Sequence, residues 1–279
     1  LTTAFATEAL HAYDIYMTYI AIKRTNTPLK KQIPSNPTLL AARTYARSLP
    51  TTTRRTYLTG IRLIERADSA AQVTLIATIA AKAYAKPIPE SVCLHLNLAS
   101  LNGWLAYTIY DDFLDDEGKP LLLGTANIAQ RQMLQHFTKA LPIDSGFHAL
   151  VEQALDTVDT ANTWEVTHAR VNRENNILRY TLPKYGNHKQ LAERSQGHML
   201  AMCGVAIASG FSINSTEVYN LRRFFHHFLI AKQLNDDAHD WQEDLHAGHI
   251  SSVVSLLLKQ KAPSKCDLDT DIPMLRIHF

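Results

Sequence analysis

Leu101-Asn102-Gly103-Trp104-Leu105-Ala106-Tyr107-Thr108-Ile109-Tyr110-Asp111-Asp112-Phe113-Leu114-Asp115-Asp116 decides how this chain reads. Its first ten residues are mostly apolar or aromatic, as in a helix buried on most sides. Its last six include four carboxylates. On a helix, Asp111 and Asp115 share one face, and Asp112 and Asp116 form the adjacent row. Carboxylates crowded at the end of a buried helix repel one another and oppose the helix dipole, so they call for a cation. Oxygen-only donors suit a hard ion such as Mg²⁺, which binds one or two carboxylates plus substrate phosphates. A plain solvated end at Asp115-Asp116-Glu117 is the competing reading, and the dipole counts against it.

A second acidic stretch has the same plan: Lys232-Gln233-Leu234-Asn235-Asp236-Asp237-Ala238-His239-Asp240-Trp241-Gln242-Glu243-Asp244 follows the aromatic run Phe224–Ala231. Asp236, Asp240 and Asp244 lie on one helical stripe, and Asn235, His239 and Glu243 on the stripe beside it. Alone this would be an ordinary solvated helix face. Its weight comes from the pair, because two such helices could hold several Mg²⁺ ions with a diphosphate between them. The ring faces of Trp104, Tyr107 and Tyr110 could stabilise positive charge, although core packing is the commoner use of such residues.

The rest of the chain fits that picture. Apolar residues recur at three- and four-residue intervals, which predicts helices near 6–24, 37–48, 51–67, 69–85, 89–116, 125–140, 146–180, 187–210, 215–244 and 250–261. Pro37 after Asn36, Thr51 and Pro89 mark helix starts. No stretch alternates long enough for a convincing strand. Residues 28–34 read as a surface connection, Glu117-Gly118-Lys119-Pro120 as a turn, and 263–279 as a loosely ordered tail. The fold class expected is all-α, a single-domain helical bundle over residues 1–279. The chain begins at Leu1, so it could also be a piece of a longer protein.

A net charge of +2 and isolated basic pairs (Lys30-Lys31, Arg54-Arg55, Arg222-Arg223) exclude a nucleic-acid-binding surface. Three scattered cysteines, Cys93, Cys203 and Cys266, argue against a disulfide framework or structural zinc and for a reducing, cytoplasmic setting. No apolar run is long enough for a transmembrane span. His226-His227, His239, His246 and His249 read as solvated or singly hydrogen-bonded imidazoles.

From about residue 90 to 260 the chain resembles the class I terpene synthases and trans-isoprenyl diphosphate synthases. Asp111-Asp112-Phe113-Leu114-Asp115 resembles their first aspartate-rich motif, and Gln233-Leu234-Asn235-Asp236-Asp237-Ala238-His239-Asp240 is similar to the second. Arg194-Ser195-Gln196-Gly197 looks like the intervening Lys-Thr-Gly segment, and His249 stands where a Lys is usual. The resemblance implies the isoprenoid-synthase bundle with a central cavity, two or three Mg²⁺ ions with Mn²⁺ as a substitute, and a prenyl diphosphate substrate. Its metal ligands would come from Asp111, Asp112, Asp115, Asp116, Asp236, Asp237, Asp240, Asn235, Glu243 and Asp244. Arg194, ahead of Arg179 and Arg173, would sense the diphosphate, with Lys232, Lys184 and Gln233 as further substrate contacts. Trp104 and Tyr107 would face the carbocation. Tyr107 and Ala106, at the positions that set the pocket floor in the family, suggest a C15 or C20 chain. A homodimer would be compatible.

The departures separate the members. Chain-elongating synthases carry a Gly-Gly-Lys-Arg segment and an Arg-Arg pair after the first motif. Here Asp116-Glu117-Gly118-Lys119 offers one cation, and Arg54-Arg55 is wrongly spaced. The second cluster also matches the cyclase pattern at Asn235, His239 and Glu243, with His239 in place of a hydroxyl. A terpene synthase is therefore the expectation, a prenyltransferase (chain-elongating or head-to-head) the alternative, and a non-catalytic partner subunit the third reading.

Overall fold

The computed structural model describes residues 36–186, 188–259 and 265–278, and the helix expected near 6–24 and the connection 28–34 lie outside them. The described residues are predominantly helical, with eleven α-helices among them. None is long and apolar enough to cross a membrane. Internal contacts group the described residues into two compact units. One, carrying the first acidic segment, comprises described residues 36–154 and 197–223. The other, carrying the second, comprises 155–196 and 224–278.

The first-motif unit opens with α1 (Pro37–Ala46), where the Asn36 side chain caps the amides of Thr38 (3.0 Å) and Leu39 (3.3 Å) and Pro37 occupies the first turn. Next, α2 (Thr51–Ala67) buries Tyr57, Ile61 and Ile64 at helical spacing. The helix expected over 69–85 shrinks to α3 (Ile76–Ala81). Asp68 folds back to accept the amides of Val73 (3.1 Å) and Thr74 (2.8 Å), stabilising a loop in its place. At the centre α4 (Glu90–Leu114) packs along α5 (Leu123–Ala140), with Leu98, Leu101, Leu105 and Ile109 meeting Ala126 and Ala129 in one core. A methyl at Gly60 would run into Leu105, so that glycine allows α2 its close approach to α4. Within this core the Tyr57 hydroxyl donates to Asn102 (2.7 Å), satisfying two buried polar groups at once.

In the second-motif unit, α6 (Phe147–His168) stops well short of the expected 180. The chain beyond it pairs with the segment that follows α9 (Thr216–His246). Ile250 donates to the Ala169 carbonyl (2.7 Å) and Val171 to that of Gly248 (2.9 Å). Gly248 (φ +77°) is needed there, since a side chain would strike the Val171 carbonyl. Three short antiparallel strands then form, β1 (Arg173–Glu174), β2 (Ile177–Arg179) and β3 (Lys265–Asp267), in the order β1-β2-β3. Asn175 at φ +58° makes the turn between the first two. No alternation is legible in these residues because each strand is only two or three residues long.

The helix expected over 187–210 is broken into α7 (Lys189–Glu193), a 3₁₀ turn (Gln196–Met199) and α8 (Leu200–Ala208), the last belonging to the first-motif unit. The chain continues through α10 (Ser252–Lys259), β3 and α11 (Leu268–His278). The tail expected to be loose is thus structured over 265–278, where Cys266, Leu268 and Leu275 join the core of Leu178, Trp241, Leu245 and Ile250. All three cysteines are buried free thiols.

Candidate functional site

The first acidic segment sits where α4 ends. Asp111 and Asp112 are in its last turn, Asp115 caps it, and Asp116 lies just beyond at φ +61°. The Glu117 amide donates to the Asp112 carbonyl (2.8 Å) and the Asp116 amide to that of Phe113 (3.4 Å). This is the Schellman closure, with aspartate in the left-handed position glycine usually takes. Asp111 is half-buried, and Asp112, Asp115 and Asp116 are exposed. Asp112 has its pKa raised, first by partial desolvation and then by the charges of Glu117 and Asp115, with Lys119 pulling the other way. The segment gathers four carboxylates within one turn, and such oxygen-only donors fit Mg²⁺.

One and two turns upstream, half-buried Trp104 and Tyr107 flank His198 of the 3₁₀ turn. The Trp104 and His198 rings meet edge-on at 4.8 Å, and the Tyr107 ring lies 6.0 Å from the imidazole. Sequence reading did not single out His198, although it directly follows the Arg194–Gly197 segment. Tyr110 donates to Asn127 (2.7 Å) and approaches Gln130 (3.1 Å) on α5.

The second segment divides by face within its own unit. Asn235, His239, Asp240 and Glu243 are exposed, and half-buried Asp236 pairs with Lys232 (2.9 Å). Asp237 points inward with Trp241 and Leu245 and is 4% exposed. One of its oxygens accepts from Gln233 Nε2 (2.9 Å) and the other from the Ser252 amide (3.1 Å). It therefore caps the start of α10, a role the sequence reading, which placed it among the metal ligands, did not foresee. Burial raises its pKa against the pull of the Gln233 hydrogen bond. Asp244 is turned to His249, whose Nδ1 lies 3.3 Å from its Oδ1.

His249 in turn lies 3.6 Å from Glu165. Glu165 is buried on α6 and takes Arg170 (2.9 Å) and Arg194, whose Nε also reaches Asn162 (3.3 Å). Arg194, ranked first as the diphosphate sensor, is thus a buried structural cation in this unit, 7% exposed and held by a carboxylate. Glu165 was missed too. Its signal was a lone charge at helical spacing between Ala161 and Ala169, both buried.

Of the other expected cations, Arg173 holds the hairpin turn through Asn176 (2.6 Å) and Lys184 is exposed. Arg179 lines a groove of about 480 Å³ with Thr167, His168, Arg170, Tyr180 and Thr181. Among the described residues no three His, Cys, Asp or Glu side chains gather closely enough to hold a metal ion by themselves. Neither family models, curated proteins nor solved structures yield a match to this chain.

Proposed function

We propose that this protein is a class I terpene synthase that ionises a prenyl diphosphate with Mg²⁺ and cyclises or quenches the resulting carbocation, releasing diphosphate. The observation that carries the reading is the crowding of carboxylates at the end of α4, where the pKa of Asp112 is raised by desolvation and by its acidic neighbours. Such a cluster gains from a bound cation. Asp111, Asp112 and Asp115 would be the ligands, with Asp116 as supporting charge. Three protein donors in one place are not required, because Mg²⁺ keeps waters and takes phosphate oxygens. Bound there, the ions would neutralise the diphosphate as its carbon–oxygen bond breaks.

Within its own unit the second segment offers Asp236 and Asp240, or Asn235 and Glu243, as ligands for Mg²⁺. Asp237 and Asp244, engaged by Ser252 and His249, would contribute charge from behind. Lys232 and Gln233 already hold Asp236 and Asp237, so their first effect would be to orient those carboxylates. Trp104 and Tyr107 would turn ring faces to positive charge.

The test is diphosphate release with single C10, C15, C20 and longer substrates in Mg²⁺, with products read by mass spectrometry. Asp111→Ala and Asp236→Ala should each lower release about a hundredfold or more while leaving the circular dichroism unchanged. Full Mg²⁺-dependent turnover in both variants sinks the reading. A longer diphosphate formed only when isopentenyl diphosphate is added would make the protein a prenyltransferase instead.

A further inference from the structure

The groove in the second-motif unit presents Arg170, Arg179, His168, Thr167 and Thr181, and none of its lining residues is acidic. Arg170 and His168 are set in place by the fold. Arg170 is fixed through its backbone by pairing with His249 and through its guanidinium by Glu165 Oε1 at 2.9 Å. His168 stacks on Trp164, with ring centres 5.3 Å apart and planes at 12°. Its Nδ1 lies 2.8 Å from the Trp164 carbonyl. A carbonyl only accepts, so Nδ1 carries a proton, and Nε2 donates to an anion only when it is protonated as well.

Arg179 gives a second, independent sign. On β2 the residues alternate, Leu178 turning inward opposite Cys266 and Arg179 outward opposite Lys265. Like charges directly across two strands destabilise the pair unless an anion lies between or beside them. The fold has therefore gathered cations and hydroxyls where nothing acidic lines the wall.

We propose that this groove binds a phosphate-class oxyanion, either free or as the phosphate of a small molecule. Guanidinium forks from Arg170 and Arg179 match the oxygens of such an anion, Thr181 adds a hydroxyl, and His168 adds an Nε2–H donor once its ring is protonated. A carboxylate ligand would leave part of this donor set unused. The site needs no metal and does not depend on the terpene synthase reading.

Calorimetric titration of the full chain at low salt in EDTA, with inorganic phosphate, inorganic diphosphate and phenyl phosphate in separate arms, tests it. One site should appear, weakening as salt is raised. Stronger binding of the inorganic ions would mark a free-anion site, and stronger binding of phenyl phosphate a site for an esterified ligand. Arg179→Gln, on an exposed side chain, should weaken binding about tenfold, and His168→Gln should weaken it less. Quenching of tryptophan fluorescence on binding, lost in Trp164→Phe, would place the ion beside the stacked His168. No binding heat in any arm overturns the proposal, as does binding that Arg179→Gln and His168→Gln both leave at full strength. Asp111→Asn separates the two readings: binding in EDTA that this variant abolishes, and Arg179→Gln does not, belongs to the acidic segment and overturns the groove.

Discussion

Asp112 and Glu165 are both carboxylates beside other charges, but Asp112 sits mainly among acidic neighbours and Glu165 among cations. The pKa of Asp112 is raised by desolvation and by Glu117 and Asp115, so its ionised form weakens the fold. Asp112→Asn should therefore raise the melting temperature measured in EDTA and shrink the rise that added Mg²⁺ produces in the parent. An unchanged melting temperature would mean that the repulsion is already relieved. The sign for pH follows: as pH falls through the raised pKa of Asp112, the folded state takes up its proton first and gains stability. Glu165 neutralises Arg170 and Arg194 inside the second-motif unit. Glu165→Gln would strand buried cations at a cost of about 3 kcal/mol in urea unfolding. A loss below about 1 kcal/mol would show that solvent reaches the pair.

The two helices that carry the acidic segments close in the same way. In α9 the His249 amide donates to the Asp244 carbonyl (2.8 Å) and the Gly248 amide to that of Leu245 (3.2 Å), with Gly248 in the left-handed position. In α4 that position is held by Asp116 at φ +61°. Asp116→Gly should then stabilise the protein by about 1 kcal/mol in thermal or urea unfolding, since left-handed backbone is costly for a residue with a Cβ. No gain would mean that the Asp116 carboxylate makes compensating contacts. Helix starts were legible because their signals are local: Asn36 with Pro37, Thr51, and Pro89 before Glu90. Helix ends were not, because partners distant in sequence set them. Ala169 is claimed by Ile250 and Val171 by Gly248, and neither pairing leaves a mark in the residues around position 170. The same limit applied to the site. The acidic segments could be read from their spacing, whereas the capping role of Asp237 and the burial of Arg194 depend on Ser252 and Glu165, far along the chain.

At the scale of the whole protein, acid stability should be dominated by a pair of imidazoles that belong to neither acidic segment. His95 on α4 and His136 on α5 share a hydrogen bond between their Nδ1 atoms (3.0 Å), so one ring must donate and the other accept. Burial, with the charges of His95 and Lys139, lowers the pKa of His136 to about 4. Between its unperturbed value of 6.5 and about 4 the unfolded chain binds a proton that the folded one refuses, so stability should fall as pH drops through that window. His136→Gln should flatten urea-unfolding free energies measured from pH 7 to 4.5, and an equally steep fall in the variant would point to other groups. The Asp237–Ser252 bond carries a different consequence for the protein at work. Amide deuteration slows when a hydrogen bond must break first, and the Ser252 amide is tied to a carboxylate of the second acidic segment and to no helical carbonyl. Its exchange rate is thus a native, label-free gauge of that segment: any ligand that draws Asp237 away would speed the deuteration of one backbone position at the start of α10.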